Sequence, residues 1–258
     1  MNTDFANELI LSHNVLYLNP GWQNDFDSMY LEIRKKEHRV PDDETIIKLP
    51  DTTFGSPYET EWKYRKYISK RVLQEIYKLK PSTALDIGCG NGWFTHKVSE
   101  HVSDHTYGLD INKEELEQAS KLFSSARCKF IYGDLFDSRW PVHYFDLITL
   151  NSTVQYFPSL NMLINRLKDL LTSKGEIHIL DSPMYATKEE AEKGRARSAH
   201  YYSSIGYPNF INYYHHHTFA DLQEINYTIL YDPSQITNRF YRKIFLTGSP
   251  FYWIRITQ

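Results

Sequence analysis

Three glycines and three aspartates carry the chemistry that this sequence offers most openly. Gly88, Gly90 and Gly92 lie in Asp86-Ile87-Gly88-Cys89-Gly90-Asn91-Gly92, after a short apolar run and before a helical stretch. Glycine in such a turn leaves the backbone bare for a ligand to approach. Amides at a helix start can also hold a carboxylate or a phosphate. Alone, the segment reads equally as a tight turn. Its spacing says more. A dinucleotide loop is written Gly-x-Gly-x-x-Gly, and here the third glycine comes one residue early. Asp86, at the strand end, suits an amine-bearing ligand better than a pyrophosphate. Asp110 follows Gly92 by 18 residues and ends a second strand. An acid there accepts two hydroxyl hydrogen bonds from a ribose. Asp134, after Gly133, ends a third strand, where it can accept a bond from an adenine amino group while Leu135 or Phe136 packs on the ring. Any one of these aspartates reads as a cap or turn residue; three at successive strand ends along one sheet edge do not.

Strands and helices must hold those residues at that edge. Residues 83–87, 105–109, 128–132, 144–150 and 176–180 read as strands. Between them, residues 91–101 and 112–124 read as helices, the second with Asn112 at its cap and Glu115 three residues on. Leu160, Leu163, Ile164, Leu167, Leu170 and Leu171 form a helical stripe that Lys174-Gly175 is expected to close. A further helix over 59–79 carries Trp62, Ile68, Val72, Leu73, Ile76 and Leu79 at helical spacing and stops before Pro81. Strand and helix alternating in this way predict a doubly wound α/β sheet whose ligand binds at the carboxyl strand ends. Residues 1–58, punctuated by Pro20-Gly21, Pro41-Asp42-Asp43 and Pro50-Asp51, read as irregular. Residues 182–217 interrupt the rhythm with a charged helix over 188–197 and then an aromatic run. Thr218 caps a short helix over 219–224, and 227–231 and 251–257 read as the last strands.

Together these segments resemble the class I S-adenosylmethionine-dependent methyltransferases. Ala84-Leu85-Asp86-Ile87-Gly88-Cys89-Gly90-Asn91-Gly92 resembles the family's first motif, Gly108-Leu109-Asp110 its second-strand motif and Gly133-Asp134-Leu135 its third. Phe145-Asp146-Leu147-Ile148 through Asn151-Ser152 resembles the fourth-strand motif. Leu170-Leu171 with Lys174-Gly175-Glu176 resembles the leucine-rich turn before strand five, with Lys174 where the family has a first glycine. The resemblance runs well over residues 59–181 and weakly beyond. It implies a Rossmann-like α/β fold with a doubly wound, mostly parallel, seven-stranded sheet whose last strand is antiparallel. Read from the chain itself, the expected layout adds an N-terminal helical extension, an irregular segment over 1–58 that is a lid candidate, and a methyltransferase domain over 59–258 with a substrate-lid insertion over about 182–217, after strand five. S-adenosylmethionine is the implied cofactor. Gly88 and Gly90 would approach its methionine moiety with Asp86 near the ammonium; Asp110 would bind the ribose and Asp134 the adenine. Asn151 would contribute through its backbone, and Cys89, Gly92, Ile111, Gly133 and Leu135 complete the cofactor set.

The methyl acceptor is harder to read. Transfer is an in-line displacement at an activated carbon, so alignment is the main task, and a base is needed only if the acceptor loses a proton. Gln155-Tyr156 follows the fourth strand, where the family often places residues near the methyl, which makes Tyr156 a catalytic candidate. His200 is a second, as a general base. Tyr185, Arg195, Tyr201, Tyr202, Tyr213 and Tyr214 are candidates to wall in a flat or apolar acceptor; they read equally as lid packing. His215-His216-His217 cannot all face one ion from a regular strand, so no metal is expected. After the fourth strand the chain reads Asn151-Ser152-Thr153-Val154 and lacks the Pro-Pro-aromatic signature of adenine- and amide-methylating enzymes.

Composition narrows the partners. The net charge is -3 and the pI about 6.4, which offers no global attraction to nucleic acid or an anionic surface. No apolar run reaches the length of a membrane span, residues 1–10 lack a signal-peptide pattern, and two cysteines make no disulfide framework. A small-molecule acceptor, no nucleic acid, no membrane and a cytoplasmic location are expected. The competing readings are an NAD-dependent oxidoreductase, against which the early third glycine argues, and a non-catalytic cofactor-binding interaction module, against which the intact acids argue.

Overall fold

The computed structural model describes residues 4–22, 24, 26–51, 57–245 and 248–258. Five parallel strands form its centre: β3 (Thr83–Ile87), β4 (His105–Asp110), β5 (Cys128–Tyr132), β6 (Phe145–Asn151) and β7 (Leu171–Leu180). Two antiparallel strands complete one side, β8 (Tyr227–Tyr231) and β9 (Trp253–Thr257), with β9 between β7 and β8. A hairpin of β1 (Ile10–Ser12) and β2 (Val15–Tyr17) completes the other, β2 running parallel to β5. The sheet order is β1-β2-β5-β4-β3-β6-β7-β9-β8. The seven expected strands are present, and the hairpin brings the sheet to nine.

All five residues of β3 are buried, because helices cover both sheet faces. On one face lies α6 (Leu160–Leu170), whose Leu160, Leu163, Ile164, Leu167 and Leu170 pack against Leu85 and Ile148. Burying each such side chain contributes roughly 1.5–3 kcal/mol. On the other face, α3 (Glu59–Leu79), α4 (Trp93–Ser99) and α5 (Lys113–Phe123) pack Ile68, Val72, Val98 and Leu116 against Ala84 and Leu147. Chain order reverses between β4 and β6 on either side of β3, so the switch point opens above the Gly88 turn.

The irregular reading of residues 1–58 does not hold. Besides the hairpin, this region contains α1 (Phe26–Lys36) and α2 (Asp43–Lys48). His13 and Asn14 turn the hairpin at φ 51° and 63° without glycine, so the usual turn signal is absent. Asp4 pins the segment through bonds from Tyr107 and Lys129. Lys174-Gly175 does not close α6: the helix ends when Leu171 becomes extended, and Gly175 lies inside β7. After β7, α7 (Lys188–Ser204) is longer than its charged part, and α8 (Ile236–Phe245) stands between β8 and β9.

Candidate functional site

β3 carries Asp86 into the body, where it is 1% exposed. Its carboxylate accepts bonds from Thr95 Oγ1 of α4 and Thr149 Oγ1 of β6, both at 2.7 Å. Burial raises its pKa to about 6, against the two hydroxyls, which lower it. The chain then turns through Gly88, Gly90 and Gly92 at φ 67°, 52° and 76°. The amides of Gly88 and Cys89 donate to Leu109 O, locking the turn to β4. A Cβ on Gly88 would lie 2.4 Å from the Thr153 side chain. A Cβ on Gly92 would lie 2.6 Å from the Phe130 ring and 2.8 Å from Ala119 Cβ, so its smallness serves helix–sheet packing.

Asp110 at the end of β4 binds the turn from the other side. Its Oδ2 accepts from Gly90 N at 2.7 Å and its Oδ1 from Asn112 N at 2.8 Å. Each oxygen retains a lone pair for a further donor. Burial raises its pKa against these backbone bonds. Asp110 borders a cavity of about 330 Å³ that Ile111, Gly133, Asp134, Leu135 and Phe136 also line. Asp134 Oδ1 accepts from Phe136 N at 3.0 Å. From α1, Phe26, Asp27 and Tyr30 close the cavity. Asn112 Nδ2 is buried beside it with no partner among the described residues.

A larger cavity of about 1010 Å³ adjoins it, and Tyr30, Gly88, Gly90, Ser152 and Tyr156 line both. Asp86, Cys89, Glu115 and Asn151 face this larger space. Glu115, on the first turn of α5, is buried beside Gly90; burial raises its pKa to about 7, Arg34 opposes the shift, and Asp110 and Asp27 add to it. Three arginines reach the same wall. Arg39 grips Glu61 with two bonds of 2.9 and 2.7 Å, and Arg65 pairs with Asp181 at 2.8 Å and with Glu61. Arg34 from α1 differs: its Nε is buried without a hydrogen-bond partner among the described residues. Gln155 Oε1 is in the same position, while its Nε2 donates to Ser152 O.

The aromatic candidates divide. Tyr156, Tyr202 and Tyr214 line the larger cavity and Tyr213 the smaller. Burial raises the pKa of Tyr156, Tyr202 and Tyr214, so they keep their protons near neutrality and can serve as donors and walls. Tyr185, Arg195, His200 and Tyr201 line neither cavity. His200 is exposed, about 200° around α7 from the inward-facing Tyr202. Arg195 donates to Ile211 O, Tyr201 donates to Glu37, and Tyr185 packs beneath Gly194 and against His216. The three histidines after Tyr214 also lie outside both cavities. His215 N donates to Gln155 O, and His217 Nε2 lies 2.9 Å from Phe157 O. Among the described residues no group of three or more His, Cys, Asp or Glu is placed to hold a metal ion.

Sequence reasoning missed Arg34, Phe26, Tyr30 and Gln155, and read Glu115 only as part of a cap. The available signal was Phe26, Met29, Tyr30 and Ile33, an i, i+3, i+4, i+7 set that places α1 with one face inward.

Residues 78–232 match the model of a family described as a methyltransferase domain. The chain belongs to that family. Its motifs and fold are those of the class I S-adenosylmethionine-dependent methyltransferases that the sequence resembles. It is 28% identical over 122 residues to the malonyl-[acyl-carrier protein] O-methyltransferase of Legionella pneumophila, which spans 46% of this chain and 43% of that protein. It is 25% identical over 116 residues to the demethylmenaquinone methyltransferase of Staphylococcus aureus, spanning 44% of this chain and 48% of that one. The match thus covers less than half of either relative. Among solved structures, the magnesium protoporphyrin IX methyltransferase of Synechocystis superposes with a TM-score of 0.55 at 12% identity, covering 90% of this chain and 96% of that one. A methyltransferase structure from Methanococcus maripaludis superposes at 0.52 with 18% identity, covering 93% and 97%. These two show the fold.

The smaller cavity fits a nucleoside. Ile111 and Leu135 give it apolar walls, Asp110 and Asp134 give it acceptors, and the unpartnered Asn112 Nδ2 gives it a donor. Among the described residues no helix is long and apolar enough to cross a membrane.

Proposed function

We propose that the protein transfers the methyl group of S-adenosylmethionine to an O, N or C atom of a small molecule held in the 1010 Å³ cavity. The observation that carries this is the junction of two cavities at Gly88, Gly90, Ser152 and Tyr156, one of nucleoside size with acids at its rim and one larger and walled by aromatics. When bound, the cofactor supplies an already activated methyl on a sulfonium. The chain's work is then binding and alignment. Asp110 accepts the ribose hydroxyls and Asp134 the adenine amino group, while Ile111 and Leu135 flank the ring. Asp86 and Glu115 supply negative charge for a cationic ligand, and Arg34 is the cation for a carboxylate brought by the cofactor or the acceptor. Tyr156, Tyr202 and Tyr214 orient the acceptor as donors and exclude water. Malonyl-[acyl-carrier protein] and demethylmenaquinone, named for the relatives, are the first acceptors to assay.

The direct test is calorimetric titration of the protein with S-adenosylhomocysteine and, separately, with NAD. Binding of the former alone is expected; binding of NAD alone overturns the reading. A chain that binds S-adenosylhomocysteine yet turns over no acceptor in a radiolabelled-methyl screen would instead be the non-catalytic module.

A further inference from the structure

α8 is built inside out. Asn238 Nδ2 donates to Asp232 O at 2.7 Å and Arg242 Nη1 to Ser249 O at 3.0 Å, so polar groups tie the helix to the body. On the opposite side, one turn apart, stand Ile236, Phe240 and Ile244, which are 85%, 55% and 55% exposed. A surface helix of a globular domain has these faces the other way round. Burial in the fold therefore does not explain the apolar ridge. One flank of the ridge is cationic: Arg239 and Lys243 stand a turn apart beside it, and α8 carries no acid, in a chain of net charge -3. Arg239, Phe240 and Lys243 also border a hollow whose other wall is Tyr64 and Pro250, and those two residues continue into the rim of the 1010 Å³ cavity.

An apolar ridge edged by cations matches the boundary between lipid headgroups and acyl chains, where apolar side chains enter and cations meet phosphates. A protein partner fits less well. A ten-residue helix is about 15 Å long, short for the roughly 800 Å² per side of a stable protein interface. A bilayer asks for no matching shape.

We infer that α8 docks the protein on an anionic membrane surface, with the rim of the larger cavity turned towards the lipid. Where that cavity is the acceptor site, as proposed above, the acceptor is an amphiphile taken from the bilayer. Docking itself does not depend on that reading.

The test uses the full chain and sedimentation with two kinds of vesicle, phosphatidylcholine alone and phosphatidylcholine mixed with phosphatidylglycerol. Binding to the mixed vesicles and not to the neutral ones is expected. Phe240→Ser with Ile244→Ser should weaken it at least about ten-fold, and Arg239→Gln and Lys243→Gln about five-fold each. All these side chains are exposed, so the melting temperature should not move, and S-adenosylhomocysteine binding should stay at the wild-type value. Absence of binding to mixed vesicles, or equal binding by the Phe240/Ile244 variant, overturns the proposal. So does a wild-type dimer in gel filtration that the same variant converts to monomer, since a second copy would then cover the ridge.

Discussion

Asp86 and Glu115 are carboxyls whose protonation burial brings into the neutral range, to about 6 and about 7 from ordinary values of 3.8 and 4.5. A carboxyl with a raised folded-state pKa holds its proton more tightly in the folded chain. The ligand-free protein therefore gains stability from these groups at acid pH, and loses it as pH rises from about 4 through 7. A cation in the groove favours the ionised forms and opposes that loss. S-adenosylmethionine should accordingly bind about ten-fold tighter at about pH 8 than at about pH 5.5. Its upward shift of the melting temperature should be larger at the higher pH. Glu115→Gln should flatten the upper part of this dependence, and equal shifts at both pH values would contradict the assignment. Asp110 does two jobs at once, holding Gly90 N and facing the smaller cavity. Asp110→Ala should weaken S-adenosylhomocysteine binding by at least about 100-fold, since two hydrogen bonds to a charged acceptor contribute about 1.5–3 kcal/mol each. Unchanged affinity in a titration would remove its ribose role.

Among the elements, the β3 turn is the least tolerant. A methyl at residue 88 would meet Thr153 at 2.4 Å with φ already positive. Gly88→Ala should cost about 2–4 kcal/mol, seen as a lower urea midpoint. Thr153→Ala removes the two nearest atoms and leaves Cβ at 3.0 Å, so the double variant should recover part of the loss. A Gly88→Ala midpoint within error of wild type would show that the turn can open. The same turn was plain in the sequence, for a physical reason. Buried parallel strands are short apolar runs, and this one ends in glycines that a tight turn demands. Asp110 and Asp134 could be read because strand ends fix their positions relative to it. The β1–β2 hairpin could not: its strands have three residues each, and its turn uses His13 and Asn14 in place of glycine. α1 escaped because its inward face is aromatic and its charges are interspersed, although the spacing was helical. His200 looked available because sequence alone does not say which side of α7 meets the cavity, and Tyr202 takes that side.

At the scale of the molecule, α1 and the segment after β7 meet above both cavities. Phe26 stacks on Phe210 at 5.6 Å and lies 5.5 Å from both Tyr156 and Tyr213. Lys36 Nζ donates to Ile205 O at 2.6 Å and Tyr207 OH to Glu32 at 3.3 Å along the seam. Ile33, Tyr202 and Phe210 form a buried cluster of their own, separate from the sheet's core. Phe26 and Tyr30 of the seam line the smaller cavity, so parting the seam is expected to widen the route by which a cofactor enters it. Phe210 is the residue to test, since it holds the seam and lines only the larger of the two cavities. The free energy of parting the seam is required both to admit a ligand and to release it. Truncating a buried phenylalanine costs about 3–5 kcal/mol, and even 1.4 kcal/mol of that falling on the closed state changes opening about ten-fold. Phe210→Ala should therefore raise the association and dissociation rates of S-adenosylhomocysteine together, each by about ten-fold or more, with the equilibrium affinity nearly unchanged. Trp22, in the wall of the smaller cavity, provides a fluorescence signal for stopped-flow mixing. Faster dissociation alone, with association unaltered, would mean that Phe210 supports the bound ligand directly and that the seam is no gate.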